Sequence, residues 1–474
     1  MKTANVSEKE TARSMRFTGI IAVLLAVFFL PGVLAGCSGA ASNADNDVQP
    51  VASQKIKEPD ASGISGELNI SLFRENEYFS LAAKKYEEGH AGVIININAY
   101  KGSDERSADK SSEKYTQIIN TAFMSGKADD IVDVSPVSIF RLADKNMLLD
   151  MSEPLKDTLN SDNYYMSVIN AYRYQNKLYS VPLTFIFDAY ALNEETAKAL
   201  GIQLDSNTIT ADSLKIFSDQ IPADAKTALF DDSGTGMSDV SLANKLLSLD
   251  MHKFVKIETK EVTISGNPDF IAILETVKDF AGKKQLATEE GYTKEEDFHE
   301  GIENHLINTF ILYSPALCQN GTIDYLSNSL MLLSNKDGFS NIRTQGVMPA
   351  INNACENKEL ALDFMRFLLS EEMQTSAELI YCPVNKAAAK VASKLIVKDV
   401  AAEGYLPDGF TDSTLDSNIK EHNRLAQNAT TLDFSDELIR NFMTDELIKY
   451  FAGEESAEQA AKNLQAKINT YLKE

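Results

Sequence analysis

The sequence predicts an α/β fold built on a mainly parallel sheet, and three observations carry that expectation. From Gly66 onward the apolar residues alternate between strand spacing and helix spacing. Hairpin signals are few, which leaves right-handed crossovers as the connections between strands. The chain has 474 residues, enough for two to four domains or for one two-lobed unit with a large buried core.

The elements follow in order. Leu68, Ile70 and Leu72 alternate along a first strand. Phe79, Ala82, Ala83 and Tyr86 take helical spacing, ended by Gly89. Val93, Ile95 and Ile97 mark a second strand, and Tyr115, Ile118, Ile119, Ala122 and Phe123 form the apolar face of a second helix before Gly126. Residues 131–134 (Ile-Val-Asp-Val) read as a short buried strand. In such sheets ligands bind beyond the carboxyl ends of the strands, here the loops 74–78, 100–103 and 135–138. A long apolar extended stretch over 177–193 is suited to cross between two sheets. Helical patterns dominate 241–249, 269–280 and 358–369, and Ala457, Ala460, Ala461, Leu464, Ile468 and Leu472 mark a terminal amphipathic helix.

The N-terminus speaks to compartment. Lys2, Lys9, Arg13 and Arg16 precede an apolar run from Phe17 to Leu30, then Pro31-Gly-Val-Leu-Ala-Gly-Cys37. Charge, apolar core and small residues in that order are the parts of an export signal. A membrane-spanning helix over 17–35 is the competing reading, but it is near the lower length limit and Pro31-Gly32 breaks it. Leu34-Ala-Gly-Cys37 resembles the bacterial lipobox, in which the cysteine thiol is lipidated and becomes the new N-terminus. The expectation is a signal peptide over 1–36, then lipidated Cys37 and a disordered tether over 37–65. That tether is small, polar and aperiodic, with a reach of roughly 30 Å. The folded body then sits outside the cell, attached to the membrane by its lipid anchor only.

Composition excludes several classes. With 45 Lys+Arg against 69 Asp+Glu the formal charge is −24, which lacks the basic footprint of a nucleic-acid binder. That balance still permits a negatively charged ligand in a local pocket. Four cysteines rule out a disulfide-stapled scaffold. Cys318, Cys355 and Cys382 lack zinc spacing and read as small buried residues, with one disulfide open to an exported chain. His299-Glu-Gly-Ile-Glu-Asn-His305 is not His-Glu-x-x-His, and His305 does not align with His299 on a helix. Ser233-Gly-Thr-Gly236 lacks the Lys-Ser/Thr of a phosphate loop, and no Gly-x-Ser-x-Gly elbow occurs. No catalytic residue, metal or cofactor is expected.

Ordered segments carry a resemblance. Gly66-Glu-Leu-Asn-Ile is followed by Ala122-Phe-Met-Ser-Gly-Lys-Ala-Asp-Asp-Ile-Val-Asp133 and Lys145-Asn-Met-Leu-Leu-Asp-Met151. Then come Asn176-Lys-Leu-Tyr-Ser-Val-Pro182, with Asn176 where glycine is usual, and Phe298-His-Glu-Gly301. The helix beginning Asn357-Lys-Glu-Leu-Ala361, then Pro383-Val-Asn-Lys386 and Gly453-Glu-Glu-Ser-Ala457, complete the series. Across 66–474 the chain resembles extracellular solute-binding proteins of family 1, the lipid-anchored receptors of ABC importers that mostly take up sugars and oligosaccharides.

The resemblance implies a periplasmic-binding-protein type II-like fold, with two α/β lobes joined by hinge crossings near 184–190, 346–350 and 382–386. Lobe 1 would combine 66–187 with 347–383, and lobe 2 would combine 188–346 with 384–474. A small-molecule solute, probed first as a carbohydrate, would sit in the cleft of a monomer, and ABC permease subunits would be the partner. A sugar cleft needs flat apolar faces and fixed polar groups. The chain has no Trp, so Tyr and Phe must supply the faces. The candidate ligand-binding residues are Arg74 and Glu75, Ser135 and Ser138, then Thr184, Phe185 and Phe187 in the first crossing. Tyr313 and Ser314 follow the apolar run 306–312, where the family often places a stacking aromatic. Two other readings stand beside this one: a structural or adhesive surface lipoprotein that keeps the fold, and a surface glycoside hydrolase with two facing carboxylates.

Overall fold

The computed structural model describes residues 64–101, 111–202, 208–230, 237–286, 304–317, 330–344, 346–402, 409–429, 431–432 and 436–473. The export signal, Cys37, Cys318, Ser233-Gly-Thr-Gly236 and His299 lie outside the described residues, as does nearly all of the tether.

The described chain opens with β1 (Gly66–Arg74), α1 (Glu77–Gly89), β2 (Val93–Lys101), α2 (Ser111–Met124) and β3 (Ile131–Asp133), then the short helices α3 (Ile139–Asp144) and α4 (Met166–Ala171). Next come β4 (Thr184–Leu192), α5 (Glu194–Leu200), β5 (Thr208–Ile209), α6 (Ala211–Gln220), β6 (Thr227–Phe230) and α7 (Asp239–Phe254). The hairpin β7 (Val255–Lys256) and β8 (Glu261–Val262) leads to α8 (Pro268–Gly282). β9 (Asn304–Leu312), β10 (Met331–Leu333), β11 (Asn341–Thr344) and β12 (Pro349–Ile351) precede α9 (Lys358–Leu369) and α10 (Glu371–Gln374). β13 (Cys382–Pro383), α11 (Lys386–Ala402), α12 (Asp412–Asn428), β14 (Thr431–Leu432), α13 (Glu437–Phe451) and α14 (Ala457–Lys473) complete it.

The first sheet has the order β12-β3-β1-β2. β1 pairs in parallel with β2, from Gly66↔Val93 to Arg74↔Lys101, and with β3, as the alternation of 66–134 predicts. β12 adds an antiparallel edge on β3. Leu68, Ile70 and Leu72 are wholly buried, each stabilising the fold by roughly 1.5–3 kcal/mol. The Asn76 side chain accepts from Phe79 N and starts α1 immediately after β1, which keeps the β1 loop short.

The second sheet is mixed. Its path is β14-β11-β4-β10-β5, with β9 and β13 also on β4 and β6 on β9. Every partner of β4 is antiparallel to it. The mainly parallel pattern therefore stops at the first sheet, because β9, β11 and β13 run back against the strand that enters. Within the expected extended stretch 177–193 only 184–192 is strand. Leu178 and Val181 instead use their backbones to hold Met151 and Pro349.

Two apolar cores result, and β4 touches both. Phe185, Phe187, Ala189 and Ala191 face the first, while Tyr190 and Leu192 face the second, the two-residue period of a strand. Val384, Ala389, Leu425, Ala426 and Ala429 belong to the first core, whereas the expected division assigned 384–474 to the second lobe. The reason is local. β13 is bonded to the start of β4, so the chain that follows covers the adjacent face of β4; α13 and α14 alone return to the second core.

His422 of α12 lies fully buried beneath this face, its ring 5.9 Å from Tyr165, 5.5 Å from Phe185 and 5.2 Å from Phe187. Neither ring nitrogen has a partner among the described residues, and burial pushes the imidazole down to about 3. An unfolded imidazole titrates near 6.5, so as pH falls the unfolded chain takes the proton first and stability declines between about pH 6.5 and 3. His422→Leu should remove this decline, improving stability at pH 5 relative to pH 7 by about 2 kcal/mol more than in wild type. Urea unfolding at the two pH values measures it, and parallel behaviour of both proteins would count against the buried neutral histidine.

Candidate functional site

Strand register gathers the site. On the face of β4 away from Phe185 and Phe187 stand Thr184, Ile186 and Asp188. Arg343 pairs with Ile186 and shares that face. β9 ends at Leu312 opposite Phe187, so Tyr313 turns to the face of Ile186. Cys382 lies opposite Phe185, which brings Tyr381 to the same side.

Asp188 is held by two cations. Lys245 of α7 donates to one carboxylate oxygen, and Arg343 Nη2 donates to the other at 2.6 Å. Burial alone would raise its carboxyl, but Lys245 and Arg343 together hold it below the usual range. Both oxygens are committed and the group is ionised at neutral pH, so Asp188 has no proton to give as a general acid.

Beside this pair lie Tyr313 and Tyr381, with ring centroids 5.9 Å apart and planes tilted by 32°. Tyr313 is 42% exposed, a large aromatic face left open at the junction of the two cores. Tyr381 has φ 79°, a left-handed conformation that costs a non-glycine residue roughly 1–3 kcal/mol and that concentrates at functional sites. Burial and the neighbouring Tyr381 push the Tyr313 phenol up, so it is a neutral hydroxyl able to donate and to accept. A recess of about 70 Å³ adjoins the ion pair, with Ser248 of α7 and Arg440 of α13 in its wall.

At the rim of the first sheet, Asp133 organises the strand ends. Its carboxylate accepts from Ser135 N at 2.9 Å, Met348 N at 3.0 Å and Phe73 N at 3.4 Å. Burial pushes its carboxyl up, and these three amides work against that shift. Arg74, Glu75 and Ser135 are thereby brought to one edge. Arg74 lies 5.1 Å over the Phe73 ring, which stacks on exposed Tyr100 at 6.4 Å and 13°.

Other candidates are placed elsewhere. Phe185 and Phe187 are fully buried, edge to face at 5.3 Å, in the first core; they face away from Asp188 because β4 alternates. Ser314 is buried, its hydroxyl accepting from Ala316 N at 3.2 Å and lying 3.5 Å from Ser393 Oγ, so it shapes the turn after β9. The Ser138 hydroxyl is buried beside the Tyr471 phenol of α14. There Arg141 donates to the Tyr471 carbonyl and sits 3.9 Å over its ring, so Ser138 belongs to a contact between α3 and α14. Thr184 is buried at the start of β4 on the Asp188 face.

Sequence reasoning missed Asp188, Lys245, Arg343 and Tyr381. Asp188 left a signal, as the one charged residue between Val181 and Leu192. Tyr381 adjoins an expected crossing; Lys245 and Arg343 left none. Among the described residues no group of three His, Cys, Asp or Glu is placed to hold a metal ion. No described helix is long and apolar enough to cross a membrane. Cys355 and Cys382 are buried free thiols, so the disulfide left open does not join these two.

A family profile described as bacterial extracellular solute-binding protein matches residues 82–404. Solved structures of similar fold include an extracellular solute-binding protein family 1 from Alicyclobacillus acidocaldarius, with 14% identity, TM-score 0.54, and 87% of this chain and 100% of that one covered. A periplasmic oligogalacturonide binding protein from Yersinia enterocolitica has 13% identity and TM-score 0.54, over 86% of this chain and 99% of that one. A cyclic alpha-maltosyl-1,6-maltose binding protein from Arthrobacter globiformis has 15% identity and TM-score 0.51, over 86% and 99%. At these identities the likeness shows the fold, a two-sheet α/β architecture of the periplasmic-binding-protein type. No curated protein matches the chain.

Asp188→Ala leaves Lys245 and Arg343 facing each other without their counter-charge, and should cost about 2–3 kcal/mol at pH 7. An unfolded aspartate titrates near 3.9 and this one lower, so its contribution is complete above that value and fades as pH falls through the depressed one. Urea unfolding should show a difference that shrinks below about pH 4; equal stability at pH 7 would contradict the pairing.

Proposed function

The chain belongs to the bacterial extracellular solute-binding proteins, and on that footing we propose that it captures a carbohydrate or oligosaccharide outside the cell and passes it, unchanged, to the permease of an ABC importer. The observation that carries the reading is the pair of exposed Tyr313 and half-buried Tyr381 beside a fixed ionic cluster, where the chain passes between its two sheets. Aromatic faces cover the C–H surfaces of a sugar ring, and fixed donors and acceptors orient its hydroxyls. Tyrosine supplies here what tryptophan cannot in a chain that has none. The oligogalacturonide and cyclic maltosyl-maltose named for two proteins of like fold agree with that ligand class.

Capture would proceed by a hinge. Arg74, Glu75, Ser135 and Tyr100 stand on the carboxyl edge of the first sheet, and Thr184, Asp188, Tyr313 and Tyr381 at the junction. A solute touched from both sides selects the form in which both are near. Ser112 of α2 donates to Glu437 of α13 at 3.1 Å, and Arg141 grips Tyr471. These contacts belong to the described form and would be exchanged as the lobes part. The protein performs no bond chemistry in this reading. Cys37 carries the lipid that keeps it at the membrane.

Tyr313→Ala and Tyr381→Ala should each weaken a sugar ligand about tenfold, some 1–1.5 kcal/mol of stacking. Calorimetry across a panel of mono- and oligosaccharides checks this, together with the rise in Tm that any ligand of the native state must produce. Heat from peptides or amino acids and none from sugars would move the ligand class. Cys37→Ser should abolish fatty-acid labelling and release the protein from the membrane fraction; unchanged retention would sink the anchor.

A further inference from the structure

The recess beside Asp188 carries an excess of positive charge in an acidic chain. Its lining includes Lys245, Arg343 and Arg440 against the single carboxylate of Asp188, within a chain of formal charge −24. Asp188 spends both oxygens on Lys245 and Arg343, but those cations are not exhausted by it. An ammonium has three donors and a guanidinium five. Arg343 lines the recess, and its Nε is buried with no partner among the described residues. Arg440 is exposed and makes no ion pair or side-chain hydrogen bond among the described residues. Glu437, one turn before it on α13, accepts from Ser112 instead. The remaining polar lining, Tyr190, Asn244 and Ser248, carries no formal charge.

At about 70 Å³ the recess lies well under the roughly 300 Å³ where small-molecule pockets begin, so it receives one group of a larger molecule. Tyr313 is outside its wall but follows Leu312, which pairs with Phe187 next to Ile186, the partner of Arg343, and so offers its exposed ring to what remains. We propose that the recess is an anion subsite, and that the solute is an acidic carbohydrate whose carboxylate or sulfate ester docks on Lys245, Arg343 and Arg440 while a neutral ring lies on Tyr313 and Tyr381. Planar and tetrahedral oxyanions are both matched by guanidinium forks, which is why the two groups are tested side by side. The proposal rests on the carbohydrate reading above.

The test is calorimetry on the full mature chain with cellotriose, the matching triglucuronate, 6-O-sulfated cellotriose and citrate. The expected result is that an anionic trisaccharide binds at least tenfold tighter than cellotriose at low salt. The advantage should shrink in 0.5 M NaCl, roughly as screening of a partly exposed site requires. Arg440→Gln should lower the anionic-to-neutral affinity ratio at least fivefold; it removes no described contact, and its Tm verifies that the variant folds. The carboxylate and sulfate arms report which group is preferred. Equal affinities, or a ratio that Arg440→Gln leaves untouched, would overturn the anion subsite while carbohydrate capture stood. Citrate binding that depends on Arg440, with no trisaccharide bound, would support the subsite and remove the carbohydrate reading. No binding of any anionic probe would end the proposal, and a neutral sugar panel would then decide the reading beneath it.

Discussion

β4 is the constraint on which the rest of the molecule hangs. A strand has two faces and successive side chains alternate between them, so one nine-residue segment can serve two cores at once. Phe185, Phe187, Ala189 and Ala191 close the first core, and Tyr190 and Leu192 enter the second. Asp188 falls on the second face, at the point where neither core covers it fully. That leaves a partly accessible charge on a strand whose backbone is hydrogen-bonded on both sides.

Polar groups at this junction are held by arrangement more than by exposure. Asp133 is buried and collects three amides from the ends of β1, β3 and β12, so the loops at that edge share one anchor. Asp188 is held by two cations instead. The difference has a physical consequence. A carboxylate ringed by amides brings a net negative charge into its surroundings, whereas one clamped by Lys245 and Arg343, with Arg440 near, leaves a surplus of positive charge. In a strongly acidic protein such a site is locally opposite in sign to the net charge.

The buried His422 shows what the same layer concedes. It fills a space among Tyr165, Phe185 and Phe187 with a ring whose nitrogens find no partner, so it stays neutral and packs as an aromatic. The contacts of α3 with α14 and of α2 with α13 are of another kind, made by surface groups such as Arg141 and Ser112. The α3–α14 contact also has an apolar part, since the Phe140 ring meets Tyr471 edge to face at 6.2 Å and packs against the second core.

Much of the fold was legible in the sequence. Apolar periodicity located β1 to β3, α1, α2, α9 and α14, because each buries one face and the spacing of that face depends only on local geometry. The α/β class and the succession of parallel strands followed from it, as did the solute-binding family from its ordered segments. Of the candidate site, the position of Tyr313 after an apolar run and of Arg74, Glu75 and Ser135 at strand ends was readable. Which residues of β4 face the first core and which the opposite side was not readable, since Phe185 and Asp188 lie three apart in the same apolar stretch. The pairing of Asp188 with Lys245 and Arg343 spans 57 and 155 residues, and only register across β9, β11 and β13 brings Tyr313, Arg343 and Tyr381 to one face. Local pattern determines which segments bury an apolar face; which side chains from distant segments meet is decided by the pairing of strands, and no single segment contains that information.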